Sequence, residues 1–324
     1  MTAPLLSLQD VSVRIGAAAP VAGVSLDLAK GEVLGLVGES GSGKSLTMRA
    51  ILRLLPPVAR VGGRIVWDGK DLAGLSDADL RRVRGREIAM IFQEPMTALN
   101  PVLTVGRQIG ESLAVHLGLR GTAARRRAIE LLDQVGIPDA ARRLGSYPHE
   151  FSGGMRQRAM IAIALAAGPR LLLADEPTTA LDVTIQDQIL KLLLRLKDEL
   201  SMSVILVTHD LGVVAGTCDR VAVLYAGRLM EVGPTERIFA RPSHGYTLGL
   251  LRSLPDATHA RQRLSGIPGA PPDPGALPPG CRFEPRCAYA VAACRATEPP
   301  LARLGAELQT ACLRAGDLLA AAAA

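Results

Sequence analysis

The chain has 324 residues, 48% of them apolar and 21% charged, with a formal charge of +6. That much apolar material supports a sizeable core, in one large domain plus an appendage or in two domains, and argues against disorder. Aromatics are only 3%, which speaks against a nucleic-acid surface of stacked rings and basic side chains; the densest basic spot, Arg125-Arg126-Arg127, suits a solvated helix face.

In chain order, LSLQDVSVRI at 6–15 and VAGVSLDLAK at 21–30 predict two short strands with a small-residue turn between them. The near-continuous apolar run at 32–38 predicts a strand buried on both faces. A helix over 45–55 is expected to stop at Pro56-Pro57. GRIVWDG at 63–69 predicts a short strand ending in a turn, and EIAMIFQ at 87–93 a buried strand followed by a loop. From about 105 to 168 the pattern is helical. Strand patterns return at RLLLADEP, SVILVTH and RVAVLYAGRLMEVG, with a helix at 184–200. After residue 250, SGIPGAPPDPGALPPG marks a linker before a short cysteine-bearing stretch, and the final LLAAAA is expected to fray.

No run reaches the roughly 18 apolar residues a membrane span needs, and MTAPLLSLQD lacks the basic start and apolar stretch of a secretory signal. The chain is therefore expected to be soluble and cytosolic. Four of its five cysteines lie between 281 and 312. In a reducing compartment that grouping points to metal before disulfide. Thiolates in fours suit zinc or an iron–sulfur cluster, although the gaps are wider than zinc sites favour. Cys218 stands apart and is expected to be a buried thiol.

Gly38-Glu39-Ser40-Gly41-Ser42-Gly43-Lys44-Ser45 fits G-x-x-x-x-G-K-[ST] between a strand and a helix. Glycines there let backbone N–H groups turn toward phosphate oxygens, and the helix that follows aims its positive dipole end at the anion. Lys44 suits the β- and γ-phosphates, and Ser45 offers a hydroxyl to Mg²⁺. LLLADEP ends an apolar strand in Asp175, which suits the metal, and Glu176, which suits a general base. Ser152-Gly153-Gly154 opens a helix as a second anion-ready turn, Ser152 as its cap.

Taken in order, Gly38–Ser45, Gln93, SGGMRQR, LLLADEPTTALD and His209 resemble the nucleotide-binding subunit of an ABC transporter: Walker A, Q-loop, signature, Walker B with D-loop, and switch histidine. The resemblance implies an α/β fold with a RecA-like core, an antiparallel β subdomain and a helical insertion, plus a small C-terminal cysteine-bearing appendage. It implies a nucleotide-binding domain over 1–250 with a helical subdomain at about 96–166, an extension over 251–315, and a tail over 316–324.

By the same resemblance ATP lies between the Walker A loop of one subunit and the signature turn of another, Gln93 contacts Mg²⁺ or the attacking water, His209 holds the γ-phosphate, and Asp182 lies at the dimer seam. Asp182 in TTALD could equally be a helix cap. Two departures are Met155, where many members carry glutamine, and Ile15, at the position that often stacks on adenine, where apolar contact or the Arg14 guanidinium would substitute.

QEPMTALNP, PHEFSGGMRQRAMIAIAL and RPSHGYTLGLLRSLP resemble the dipeptide and oligopeptide permease ATPases, with Gly245 where proline is usual. That implies import powered by ATP and Mg²⁺, and a four-iron four-sulfur cluster on Cys281, Cys287, Cys294 and Cys312. The implied partners are a second ATPase subunit, two transmembrane permeases and an extracytoplasmic substrate-binding protein, with no nucleic acid, at the cytoplasmic face of the membrane. A related nickel or glutathione importer, or a soluble ABC-type ATPase, are the alternatives.

Overall fold

Apolar residues alternate through Leu6 and Leu8, lose step at Gln9-Asp10, and resume at Val11 and Val13. The structure resolves this slip as a β-bulge: Asp10 adopts φ 53°, the register shifts between Leu8 and Val11, and both halves keep their apolar side chains buried. A computed structural model describes residues 3–93, 98–179, 181–254 and 266–321. In chain order its strands are β1 (Leu6–Ile15), β2 (Ala18–Leu28), β3 (Val33–Val37), β4 (Ala59–Trp67), β5 (Lys70–Asp71), β6 (Ile88–Ile91), β7 (Leu171–Asp175), β8 (Ser203–Thr208), β9 (Arg220–Tyr225), β10 (Arg228–Pro234), β11 (Ala302–Arg303) and β12 (Gln309–Thr310).

The described residues within 1–28, 33–73 and 208–324 form one compact unit, and those within 29–32 and 74–207 another. In the first, β2-β1-β4-β5 form an antiparallel sheet. Asp68 and Gly69, with φ 48° and 79°, make the tight turn between β4 and β5. A second sheet in this unit runs β11-β12-β10-β9-β3, with β3 parallel to β9 and the other pairs antiparallel. The strand pattern expected at 220–233 forms a hairpin, turned by Ala226 and Gly227 at φ 45° and 85°.

Helix Lys44–Ile51 ends sooner than the prolines require. Arg53 turns left-handed at φ 51°, and the Leu54 N–H returns to the Arg49 carbonyl. The backbone has left the helix before Pro56 could break it.

In the second unit β6, β7 and β8 are parallel and wholly buried, as their unbroken apolar runs predict. The expected helical stretch forms Val105–Leu117, Gly121–Gln134 and Gly153–Leu165. Val105, Ile109 and Leu113 bury one stripe at four-residue spacing. Asp77–Val83 is a further helix, capped where Ser76 Oγ accepts from the Asp79 N–H. Part of the expected loop QEPMTALNP, residues 94–97, lies outside the described residues.

The cysteine-bearing stretch is not a separate appendage. Thr310 in β12 pairs with Glu231 in β10, the Ala311 N–H donates to the Met230 carbonyl, and the Phe283 ring centroid lies 5.3 Å from Tyr225 and 5.2 Å from Tyr246. A segment this short cannot close a core of its own, so it completes the core of the first unit. The expected frayed tail is helical over Ala315–Ala321, and 322–324 lie outside the described residues. Among the described residues no helix is long and apolar enough to cross a membrane.

Candidate functional site

The phosphate loop leaves β3 at Gly38, whose φ is 151°. A Cβ there would sit 2.0 Å from the Leu224 carbonyl oxygen, and one at Gly43 (φ 102°) would sit 2.6 Å from that of Pro20. Both positions admit only glycine because backbone passes directly against backbone. Lys44, 5% exposed, folds its ammonium over the loop: Nζ donates to the carbonyls of Gly38 (2.8 Å) and Glu39 (2.9 Å) and to Ser42 Oγ (3.4 Å). The following helix starts at Gly43 with no side-chain cap, which is how anion-binding helix starts are built. Thr47 Oγ1 donates to the Gly43 carbonyl and ties the first turn to the loop. The structure thus supports a stretch shaped around backbone and one cation rather than around packing.

In the second unit, Asp175 ends β7 fully buried, and Glu176 follows at φ 47°. A left-handed glutamate is uncommon, and strain of this kind accumulates where geometry serves function. The Glu176 N–H donates to the Val207 carbonyl, and its Oε2 accepts from Gln93 Nε2 at 3.1 Å and Thr179 Oγ1 at 2.8 Å. Gln93 and Glu176, distant in sequence, are therefore brought together.

The same unit joins the signature turn to the helix behind Walker B. Ser152 Oγ caps helix Gly153–Leu165 by accepting from the Met155 N–H, and Asp182 Oδ1 caps helix Val183–Glu199 by accepting from the Ile185 N–H. A Cβ on Gly154 would meet Ile185 Cγ2 at 2.9 Å. The glycine is needed for contact with a neighbouring helix, a reason invisible from its own local sequence.

His209 is exposed directly after β8, and Asp210 caps the next helix, Leu211–Thr217. Ile15 is half-buried at the end of β1 and Arg14 is exposed.

Cys281, Cys287, Cys294 and Cys312 line one small cavity of about 20 Å³, room for about one water molecule. Among the described residues no group of three or more His, Cys, Asp or Glu is placed to hold a metal ion, so the expected metal set does not stand preformed. Burial pushes Cys281 up to about 11 and raises Cys287 and Cys312. Protonated thiols in such surroundings pack as small apolar groups. Backbone N–H groups do aim at sulfur, however: those of Phe283 at Cys281, Tyr289 at Cys287, and Gly245 and Arg314 at Cys312. In chemical kind the donor set fits an iron–sulfur cluster. Cys218, expected buried, is pushed up to about 11 by burial.

Sequence reasoning missed the partner of Glu39. Its carboxylate accepts from both terminal guanidinium nitrogens of Arg286, Nη1 at 2.6 Å and Nη2 at 2.9 Å, and its N–H donates to Tyr246 Oη at 2.8 Å. No local pattern signals a pair 247 residues apart.

A family model described as ABC transporter matches residues 21–179, and one described as the oligopeptide/dipeptide transporter C-terminal region matches 230–294. A protein of Brucella abortus (strain 2308), named as a peptide import ATP-binding protein, is 55% identical over 309 residues, 94% of this chain and 93% of its own. One of Brucella melitensis biotype 1 with the same description is 54% identical over 305 residues, 90% of each chain. Among solved structures, cbiO1 from Clostridium perfringens, titled as part of the ABC transporter complex cbiONQ, is 28% identical with TM-score 0.64, over 74% of this chain and 92% of its own. An ATP-binding cassette solved as a dimer in a post-hydrolysis state with ADP and Pi is 31% identical with TM-score 0.62, over 71% and 98%. With its phosphate loop, its Asp175-Glu176 strand end and its capped Ser-Gly-Gly turn in place, and with relatives this similar over nearly its whole length, the chain belongs to the ABC transporter family as one of its ATP-binding proteins.

Proposed function

We propose that this chain hydrolyses ATP to power the import of di- or oligopeptides. The observation that carries the ATPase part is Glu176, held by Gln93 and Thr179 at the end of a buried strand. Water attacks the γ-phosphorus in line; Glu176 accepts its proton as the new P–O bond forms, and the bond to the β–γ bridging oxygen breaks with its electron pair leaving on ADP. Lys44 shifts its ammonium from loop carbonyls toward the β- and γ-phosphates, and His209 holds the γ-phosphate.

Ser45 hydroxyl, Gln93 carbonyl oxygen and Asp175 carboxylate are hard oxygen donors of the kind Mg²⁺ takes. Mg²⁺, when bound, neutralises charge that develops on the phosphate oxygens. Ser152, Gly153, Gly154 and Asp182 serve the facing subunit's nucleotide, which a second ATPase subunit of this or a related chain completes. Residues 1–250 form the cassette and 251–315 its extension, ahead of a short tail at 316–324.

Peptide cargo rests on the match of residues 230–294 and on what the Brucella proteins are named for. The partners are two membrane permeases and an extracytoplasmic binding protein, and the chain works peripherally at the cytoplasmic face. Deleting the gene and following uptake of a labelled tripeptide tests this: lost uptake, restored by the wild-type gene but not by Glu176→Gln, is expected. Normal uptake in the deletion strain overturns the cargo.

The finer reading is a four-iron four-sulfur cluster on Cys281, Cys287, Cys294 and Cys312. It is supported by the chemical kind of the four donors and by the N–H groups aimed at Cys281, Cys287 and Cys312, and it requires the cavity of about 20 Å³ to open around the cluster. Anaerobically purified protein should contain about four iron and four sulfide per chain. Iron-free protein carrying one zinc rejects it.

A further inference from the structure

Glu39, the first variable position of the phosphate loop, is held at its N–H and its carboxylate by residues far downstream in the same unit, and at its carbonyl by Lys44 of the loop itself. Tyr246 Oη takes its N–H, Lys44 Nζ donates to its carbonyl, and the two Arg286 nitrogens fork onto its carboxylate. Arg286 is itself fixed. Its Nε donates to the Pro268 carbonyl at 2.9 Å, Nη1 donates to Tyr225 Oη at 3.1 Å, and the guanidinium lies over the rings of Tyr225 (5.7 Å) and Phe283 (6.0 Å). Its side chain is 5% exposed, so the pair is shielded from solvent screening on the arginine side. Planar, bidentate geometry of this kind fixes a carboxylate in orientation as well as in position.

A carboxylate on a loop that must accept a triphosphate is a liability, because like charges repel across a few ångströms. We propose that Arg286 is a positioning residue for nucleotide binding, cancelling the charge of Glu39 and holding the first turn of the phosphate loop in its receptive shape. The C-terminal segment, built around Phe283, Tyr225 and Tyr246, thereby sets the affinity of the ATP site. Arg286 touches no reacting atom; its effect passes through Glu39 to the loop backbone and to the Lys44 ammonium that shares the Glu39 carbonyl. The inference rests on the ATP-binding role proposed above.

The test measures equilibrium binding of a fluorescent ATP analogue, with thermal melting in parallel, on the full chain. Arg286→Ala should weaken binding about tenfold, since it leaves the Glu39 carboxylate on the phosphate loop without its counter-charge. Arg286→Lys, which keeps charge but loses the fork, should weaken it about threefold to fivefold. The double variant Glu39→Gln with Arg286→Gln, which removes the repulsion and leaves a neutral amide pair, should return to within about threefold of wild type. In steady-state hydrolysis the single Arg286 variants should raise KM for ATP while kcat stays within about twofold.

Should Arg286→Ala be too unstable to purify, the comparison of Arg286→Lys with the double variant decides. Wild-type affinity in both single variants, or a double variant that binds no better than the singles, overturns the proposal. A purely structural role would lower the melting temperature in the singles without rescue of affinity by the double. If the wild-type chain binds no ATP analogue, it is the ATP-binding reading that fails, and Lys44→Ala serves as the control for that outcome.

Discussion

Gln93 donates a 3.1 Å hydrogen bond from Nε2 to Glu176 Oε2, across 83 positions of sequence, while Thr179 donates to the same oxygen from three residues away. The carboxylate that the proposed reaction needs as a base is thus oriented by one distant amide and one local hydroxyl. Its backbone is held left-handed, with the N–H on Val207.

Glu176→Gln keeps the size and the Thr179 contact but cannot take a proton from water. ATP affinity should stay within about twofold, while turnover falls on the order of a hundredfold to ten-thousandfold. Phosphate release and nucleotide binding measured on the same preparation check this. Hydrolysis at the wild-type rate removes Glu176 from the chemistry.

Lys44→Ala removes a buried ammonium together with its bonds to Gly38, Glu39 and Ser42. The loop loses both its internal tie and its charge toward phosphate, so ATP affinity should fall at least tenfold. Calorimetric titration with ATP and Mg²⁺ reads it. An unchanged dissociation constant is incompatible with the phosphate-loop assignment.

Gly154→Ala drives a Cβ to 2.9 Å from Ile185 Cγ2. Overpacking of this size costs about 1–3 kcal/mol. The double variant with Ile185→Ala removes the clashing methyl and should melt closer to Ile185→Ala alone than the single-variant costs add up to. Strict additivity in a double-mutant cycle of melting data would show that the two residues do not meet.

Asp182→Ala takes the cap from helix Val183–Glu199, where Oδ1 accepts from the Ile185 N–H. The loss should be about 1 kcal/mol, and Asp182→Asn should recover most of it because asparagine caps as well. ATP-driven dimerisation, followed by light scattering, separates the second role. If Asp182→Asn melts like wild type yet fails to dimerise, the charge serves the seam as well as the cap; if both variants dimerise normally, Asp182 is a cap alone.

Much of the site was legible from short windows. Gly38–Ser45 is a local instruction, because glycine φ values and a helix start decide where eight consecutive backbones point. Ser152 and Asp182 announced their caps, since a side chain reaching an N–H three residues on needs no other part of the chain. Ser76 carries the same signal for helix Asp77–Val83, but the segment bears little apolar periodicity to mark it as a helix. The early end at Ile51 was hidden behind the stronger proline signal; a left-handed arginine leaves no mark in composition.

By itself the sequence determined the chemistry on offer: a phosphate loop behind a buried strand, a second buried strand ending in paired carboxylates, and two capped helix starts. These follow from dihedral preferences and hydrophobic periodicity, which act over a few residues. Only the tertiary structure decided that Arg286 answers Glu39, that Gln93 steadies Glu176, that Gly154 makes room for Ile185, and that the cysteine stretch joins the first unit's core instead of standing apart. Each of those is a contact between segments that backbone propensities do not bring together, and it exists only because the chain must bury apolar surface and pair its buried charges within one fold.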